Sequence, residues 1–337
     1  MQKIILLFSF CFFSAAAFAQ MPTADSSAQT KPDTVKLGIY VTSIHDIDFK
    51  QKEYNINFWI WLKYKKREFD FVRNLEIPNA KTFTTAYTTI DSSGEMVYLQ
   101  MKMQCTMKDS WKIDNFPFDR QTLRLSFENS QFDSTKLIFV ADTIGANYDI
   151  RNDRSGKLNN NRVMNGWLID VFEMSSKGRV YKTAFGDETM NADPQVTYSA
   201  LRIKIGISRE ASGLFWKMFL GMYIAFMIAF ICFFIHSDGM DSRFGLSVGS
   251  IFAVIGNKYI IDSSLPESTS FTLVDTLHGL TLTAIFFVIS ATAYSLKLVK
   301  QQKMAKARKF DMIMAAVLFV IYASMNTWFI YAASKSG

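Results

Sequence analysis

The 337-residue chain is 49% hydrophobic and 15% aromatic and carries a formal net charge of +7, and its length allows two domains. Its three histidines and three cysteines lack metal-ligand spacing, so the composition excludes zinc and di-iron sites as well as cysteine-nucleophile chemistry. There is no glycine-rich phosphate loop and no Ser-His-Asp arrangement, and we therefore expect no cofactor, no metal, no nucleic-acid partner and no enzymatic activity.

The N-terminus has the pattern of a secretory signal peptide. Lys3 precedes an apolar stretch over residues 4–13, and Ala17-Phe18-Ala19 fits a small-x-small cleavage site. This pattern predicts a signal peptide over residues 1–19, cleaved after Ala19, with an uncleaved anchor as the alternative. Residues 20–32 are rich in Ser, Thr, Ala and Gln and are expected to form a flexible lead-in.

Residues 33–210 have an apolar period of two, which is typical of half-buried antiparallel strands. The alternation is clearest over residues 97–107, 122–127 and 201–208, and turn residues such as those at 91–94 separate the segments. Several strands of this kind in one segment predict a β-sandwich domain over residues 33–210.

Residues 211–337 change to long apolar runs, which predict a transmembrane domain. The stretches 218–235, 279–296 and 312–333 contain no charged residue and are long enough to cross about 30 Å of hydrocarbon as helices. The stretch 243–261 is less apolar, and such a helix is stable in a membrane only when one face meets protein or water. The expected helices lie at about 213–235, 242–262, 272–296 and 310–333.

The orientation of these helices follows from a basic cluster between the third and the fourth. The cluster contains no acidic residue and consists of Lys297, Lys300, Lys303, Lys306, Arg308 and Lys309. The positive-inside rule places it in the cytoplasm and therefore places the β-sandwich outside, as the signal peptide also requires. A lipid-headgroup site would fit the same charge, although topology alone accounts for it.

Residues 114–123 resemble the signature loop of the pentameric ligand-gated ion channels, the Cys-loop receptor superfamily. The core of that loop is Phe-Pro-Phe-Asp, which stands here as Phe116-Pro117-Phe118-Asp119. The two cysteines that close the loop in animal members are replaced at positions 109 and 123, which is similar to the prokaryotic Pro-loop members. Arg209 at the end of the last strand and Pro266 after the second span fit the same order along the chain.

The resemblance implies a β-sandwich extracellular domain plus a four-helix transmembrane bundle, assembled as a homopentamer. It implies a multi-pass protein of the bacterial inner membrane with a periplasmic N-terminal domain, in contact with membrane lipid. Its expected function is a channel for permeating ions, monovalent cations in particular, gated by a small-molecule or proton agonist. A non-conducting, membrane-anchored periplasmic sensor that signals through partners is the alternative.

The resemblance also assigns coupling residues, and the chain departs from the family in two places. In the family the loop aspartate contacts the arginine that ends the last strand, which correspond here to Asp119 and Arg209. The Phe116-Pro117-Phe118 loop is expected to press near Pro266 and to transmit movement to the pore. Residues 68–78 replace a Trp-x-Pro stretch that usually supplies one ligand-binding loop, and Gly221 replaces a proline of the first span.

The second predicted span carries an unusual face, whose residues recur at spacings of four and three. This face consists of Gly245, Gly249, Phe252, Gly256, Tyr259 and Ser263. We expect it to line the pore, with a ring of Phe252 as the gate, although Gly245-x-x-x-Gly249 would also suit a close helix–helix contact. The opposite side is expected to pack against the other spans through Leu246, Ile251, Val254, Ile255 and Ile261.

Asp241 precedes this helix on the cytoplasmic side, where the family has its selectivity ring. Five carboxylates at one level would attract cations and repel anions. A position at the start of a helix would also explain the aspartate, and Arg243, two residues on, opposes the argument from charge.

Aromatic and acidic side chains of the outer domain are candidates for the agonist pocket. Trp59 and Trp61 fall on the polar face of the second strand, where the resemblance implies an aromatic contribution to the pocket of the neighbouring subunit and where plain subunit packing is the alternative. Glu128 and Phe132 are expected to form acidic and aromatic walls against a cationic ligand. Tyr181 and Tyr198 bracket the expected capping hairpin, as does Phe185.

Overall fold

The computed structural model describes residues 31–66, 68–148, 166–183, 185–186, 195–237 and 239–336. The predicted signal peptide, residues 1–19, and almost all of the predicted lead-in lie outside the described residues. The described residues form a β-rich N-terminal part that is followed directly by a helical part.

The N-terminal part contains two packed sheets. The strands are β1 (Asp33–Asp48), β2 (Glu53–Tyr64), β3 (Leu75–Glu76), β4 (Ala80–Asp91), β5 (Val97–Lys108), β6 (Arg120–Asn129), β7 (Leu137–Ala141), β8 (Asn147–Tyr148), β9 (Trp167–Tyr181) and β10 (Val196–Arg209), with a single-turn helix α1 (Phe71–Asn74) between β2 and β3. One sheet has the order β4-β5-β2-β1-β7, with β8 also pairing with β1, and the other has the order β3-β6-β10-β9.

The core lies between the two sheets because alternate residues of each strand point inward. In β2, Ile56, Phe58 and Ile60 are fully buried, and β6 and β10 contribute buried residues from the other sheet. Phe58 meets Phe127 of β6 edge to face, with 5.7 Å between ring centroids. The period of two in the sequence thus corresponds to one buried face per strand, as expected for a sandwich.

The helical part contains four helices that are long and apolar enough to cross a membrane, among the residues that the structure describes. They are α2 (Ala211–Ile231), which continues as a short 3-10 turn (Cys232–Phe234), α3 (Met240–Ser264), α4 (Leu273–Lys300) and α5 (Met304–Ser336). The predicted fold class, a β-sandwich domain plus a four-helix transmembrane bundle, is therefore confirmed.

The first residues of α2 and α5 determine how these two helices connect to the segments before them. Strand β10 ends at Arg209 and α2 begins at Ala211, so a single residue separates the sandwich from the first span. Helix α5 begins at Met304, earlier than the apolar run indicates, because Lys306 and Arg308 are good helix formers and continue the helix below the membrane-facing stretch. Basic side chains of the predicted cytoplasmic cluster therefore lie on an ordered helix.

Candidate pore face, interdomain joint and ligand pocket

Helix α3 has one buried face and one exposed face. The six residues that the sequence analysis assigned to the pore are all exposed in the single subunit, with Phe252 70% and Tyr259 75% exposed. The other side of α3 packs against α2 and α4. Asp241 lies about three turns before Phe252 on nearly the same side of the helix, and it is also exposed. The structure therefore brings these residues together on one surface.

The glycines on this face are not required by packing inside the subunit. A Cβ atom added at Gly245, Gly249 or Gly256 would meet no atom within 4 Å. A close helix–helix contact within the subunit, the alternative explanation for the Gly245-x-x-x-Gly249 spacing, would leave no such space. The small residues therefore face outward, into space that no described residue of the same subunit occupies.

The buried face of α3 differs from the predicted packing face. Leu246 and Ile255, which were expected to pack inward, are exposed, and Ser247 and Ser250 are buried instead. Each serine hydroxyl donates to the carbonyl oxygen four residues earlier, at 3.0 Å for Ser247 and 2.8 Å for Ser250, so its polar group is satisfied within the helix. The prediction was wrong for Leu246 and Ile255 because a satisfied serine packs as a small residue, which hydrophobicity alone does not reveal.

Arg243 is buried on the side of α3 opposite Phe252. Arg243 and Asp311 of α5 are each 1% exposed, and Arg243 Nη2 donates to Asp311 Oδ2 at 2.8 Å. The same nitrogen donates to the carbonyl oxygen of Ile235, and Ser237 Oγ donates to Asp311 Oδ2 at 3.0 Å. The positive charge that follows Asp241 is therefore turned away from the exposed face and paired.

A second polar contact holds α3 nearer its outer end. Asn257 Nδ2 donates to the carbonyl oxygen of Met218 in α2 at 3.1 Å, and Asn257 Oδ1 lies 3.0 Å from His278 Nε2 of α4. A Cβ atom at Gly221 would lie 3.2 Å from Asn257 Nδ2. Gly221, which stands where the resembling family has a proline, therefore leaves room for a side chain that links three helices.

The joint between the sandwich and the membrane part is built around Arg209. Its Nε donates to Asp119 Oδ1 at 2.8 Å, and Asp119, which is 3% exposed, also accepts from Gln121 Nε2 at 2.7 Å. The guanidinium carbon lies 4.0 Å from the ring centroid of Trp167, and it also contacts Phe49 and Phe116, at 4.7 and 4.8 Å. The structure thus brings Asp119 and Arg209 together and adds an aromatic cage, which the sequence analysis missed. Three separate segments supply the cage.

The signature loop meets the membrane part through Asp114, which was not predicted, as well as through Phe118. The carbonyl oxygen of Asp114 accepts from Leu273 N at 2.7 Å at the start of α4, and the Asp114 carboxylate accepts from Ser270 Oγ at 2.8 Å. Phe118 packs against Phe215 of α2, with 5.6 Å between ring centroids. Phe116 faces the Arg209 cage and lines one cavity with Leu265, the residue before Pro266, while Phe118 faces α2. That this loop transmits movement to the pore stays a prediction.

The β1–β2 loop supplies a further contact that the sequence did not indicate. Lys50 Nζ donates to the carbonyl oxygen of Ser263, at the end of α3, at 3.3 Å. Pro266 itself is buried beside a cavity that Ile113, the residue before the signature loop, also lines. Two segments of the sandwich, the β1–β2 loop and the segment at Ile113, therefore lie against the end of α3 and the residues after it.

A pocket of about 290 Å³ lies on the sandwich where β6, β9 and β10 meet. It is lined by Glu76, Glu128, Asn129, Ser130, Tyr181, Phe185 and Tyr198. Tyr181 Oη donates to the buried Glu128 carboxylate at 2.7 Å, and Arg179 Nη1 lies 3.3 Å from the other carboxylate oxygen. Burial, together with the neighbouring carboxylate, raises the pKa of Tyr181 to about 12, so the phenol is a lasting donor at neutral pH.

The aromatic rings of this pocket enclose one side of the carboxylate. Tyr181 and Tyr198 meet edge to face with centroids 5.6 Å apart, and Phe185 lies 5.8 Å from Tyr181. The Arg179 guanidinium stacks over Tyr181 at 5.0 Å. An acidic group surrounded by aromatic faces is suited to a cation, and in this state the cation is Arg179.

Three of the predicted ligand residues lie elsewhere. Trp61 is buried, its Nε1 donates to Asp142 Oδ2 at 3.0 Å, and a Cβ atom at Gly38 would lie 2.3 Å from its indole ring. Trp61 lies on the same face of β2 as Trp59, as predicted, but the absent side chain at Gly38 and the Asp142 acceptor hold its indole against the sheet, where it is buried within the subunit. Trp59 packs edge to face on Tyr87, 5.8 Å away, on the outer side of the sheet.

Phe132 is also absent from the pocket. It packs against Phe69, with 5.0 Å between centroids, and lies against the core. Of the predicted ligand residues, Glu128, Tyr181 and Tyr198 are brought together, whereas Trp59, Trp61 and Phe132 are not. The sequence analysis missed the lining residues Glu76, Asn129 and Ser130, and it missed Arg179, which pairs with Glu128. For Arg179 the available signal was an arginine two residues before Tyr181 on the same strand face.

Comparison with known proteins supports the resemblance. No family model matches the chain. The chain is 20% identical over 261 residues to the proton-gated ion channel of Gloeobacter violaceus, a match that covers 71% of this chain and 66% of the relative. The chain therefore spans slightly less than two thirds of the length of that relative, which is an ion channel and not an enzyme.

Proposed function

Because this multi-pass membrane protein is a distant relative of the prokaryotic pentameric ligand-gated ion channels, we propose that it forms a homopentameric, cation-conducting channel gated by an agonist on its outer domain. The observation that carries this proposal is the exposed face of α3, where Phe252 and three glycines face open space. Lipid is an unsuitable neighbour for the least apolar of the four described helices, whereas a water-filled axis shared by five copies is suitable.

Cation selectivity follows from the charges at the cytoplasmic end of α3. Asp241 is exposed on the proposed pore side, and Arg243 is buried, points away and is paired with Asp311. The ring of five subunits therefore presents carboxylates without a compensating guanidinium. Such a ring concentrates cations and excludes anions by simple electrostatics. The orientation of Arg243 removes the objection that the sequence alone raised against this assignment.

The agonist class is proposed from the pocket around Glu128. The carboxylate, with Tyr181 and Tyr198, fits either a small organic cation, which would compete with Arg179, or a proton, which would neutralise the carboxylate and release Arg179. Both agonists act on the same ion pair. We propose that the sandwich domain lies in the periplasm and that the helices span the bacterial inner membrane, in keeping with the predicted signal peptide and the basic α4–α5 connection.

Current measurements on the reconstituted protein test the proposal. Purified protein in planar bilayers is exposed to an acid step and to a panel of small amines, in a gradient of NaCl across the membrane. We expect currents that reverse near the sodium equilibrium potential, and a shift of that potential toward zero in Asp241→Ala, with pentamers intact by native mass spectrometry. Pentamers that pass no current under any stimulus would favour the non-conducting sensor, and monomers alone would contradict the assembly.

A further inference from the structure

The buried ion pair between α3 and α5 has a feature that simple helix packing does not explain. Arg243 Nη2 is satisfied by Asp311 and by the carbonyl oxygen of Ile235, but Nε and Nη1 of Arg243 and Oδ1 of Asp311 have no hydrogen-bond partner. A buried guanidinium with two unsatisfied nitrogens is held at a cost in free energy. Asp311 is its only acidic partner among the described residues.

Asp311 holds the positive charge of Arg243 in its buried position. It belongs to α5, the helix farthest along the chain from the pore helix, and Ser237 of the α2–α3 turn donates to its carboxylate at 3.0 Å. Three segments thus converge on one guanidinium. Asp241, two residues earlier on α3, lies on the opposite, exposed side of the helix.

We propose that Asp311 is a positioning residue for ion selectivity, which keeps the Arg243 charge out of the pore mouth so that Asp241 alone sets its sign. The inference rests on the proposed cation channel. Without Asp311 the guanidinium loses its counter-charge, and a buried unpaired charge is far less stable than a hydrated one. The side chain would then turn toward water at the pore mouth, where its positive charge offsets the negative charge of the ring of carboxylates.

Reversal potentials of four channels in a NaCl gradient provide the test. Asp311→Asn is expected to lower the cation-to-anion permeability ratio by roughly tenfold, since each subunit then adds a positive charge beside a negative one. The double variant Asp311→Asn with Arg243→Gln is expected to restore the ratio, because no mobile cation remains. Ser237→Ala, which removes only the hydroxyl that supports Asp311, is expected to change the ratio in the same direction by a smaller factor.

The outcomes separate this inference from the proposed function. If the wild-type protein carries no current, the proposed channel function is contradicted. A cation-selective wild type whose ratio is unchanged in Asp311→Asn contradicts only the role of Asp311, as does a ratio that stays low in the double variant, since a purely structural defect would not be repaired by removing the second charge. If Asp311→Asn yields no pentamers, an unchanged ratio in Ser237→Ala overturns the inference.

Discussion

Replacement of Asp119 by alanine tests the joint between the sandwich and the membrane part. The substitution leaves the Arg209 guanidinium without its carboxylate, in a site where Asp119 is 3% exposed. Removal of one partner of a buried pair costs about 3–5 kcal/mol because a charge is left uncompensated. The Arg209 side chain is 12% exposed, so the lower end of this range, about 3 kcal/mol, is expected.

The reciprocal substitution is expected to cost more. Arg209→Ala removes the same ion pair and also the contacts with Trp167, Phe49 and Phe116, at 4.0, 4.7 and 4.8 Å. Three such contacts contribute about 2 kcal/mol together at 0.5–1 kcal/mol each. The expected loss for Arg209→Ala is therefore about 5 kcal/mol, and the double variant should lose much less than the sum of both single variants.

Thermal survival of the solubilised pentamer, followed by size-exclusion chromatography, measures these differences. Asp119→Ala should lower the midpoint by at least about 6 °C, and Arg209→Ala by more. Glu173→Ala, an exposed acid on β9 of the same sheet, serves as the matched control and should leave the midpoint unchanged. Additive shifts in the double variant, or an Asp119→Ala midpoint equal to that of the control, would refute the reasoning.

Three further substitutions probe the pore face, the pocket and the α2–α3 contact. Phe252→Ser should leak cations in the absence of agonist because a hydroxyl ring stays hydrated, whereas Val254→Ser on the buried face should not; a closed Phe252→Ser pentamer in bilayer recordings would place the gate elsewhere. Glu128→Gln should raise the concentration of amine or acid needed for half-maximal current by about tenfold, the effect of losing one charge-assisted hydrogen bond, and an unchanged dose–response curve would exclude this pocket. Gly221→Val should displace Asn257 and lower pentamer survival on heating, more than Gly213→Val, where added atoms meet open space; equal survival would show that the Asn257 contact is dispensable.

The fold could be predicted from the sequence because the alternation in the strands and the uncharged runs of the helices are local properties of the chain. Alternation in β2 buries Ile56, Phe58 and Ile60, and uncharged runs produce α2, α4 and α5 without reference to distant residues. The exposed face of α3 could also be predicted from the sequence, since spacings of four and three determine which residues share a side of a helix.

The parts that the sequence did not reveal depend on residues far apart in the chain. Trp61 is buried because Asp142, just after β7, accepts from its indole and Gly38 of β1 leaves room for the ring, and no pattern within β2 carries that information. Arg209 is caged by rings from three separate segments, and Arg243 finds its counter-charge on α5. The positions of these side chains depend on partners that are far away in the sequence, and local periodicity carries no information about such partners.

The same long-range contacts explain how the proposed agonist pocket could act on the pore face. Strand β10 carries Tyr198 of the pocket near its start and Arg209 of the joint at its end, and it is paired along its length with β6 and β9, so it moves as part of a sheet. One residue beyond Arg209, α2 begins, and Met218 of α2 accepts from Asn257 of α3.

Apart from the Lys50 contact with the Ser263 carbonyl oxygen, the attachments of α3 described above lie on the side away from Phe252. Asn257 binds α2 and α4, Lys258 pairs with Asp275 of α4 at 2.8 Å, and Arg243 binds α5. A helix that is held mainly on one side is turned by relative movement of the helices that hold it, because little of its exposed face contacts the rest of the subunit. In a pentamer built as proposed, a shift of β10 and α2 would therefore turn α3 and carry the Phe252 ring away from the axis, while the Arg243 attachment keeps the cytoplasmic end, with Asp241, in place.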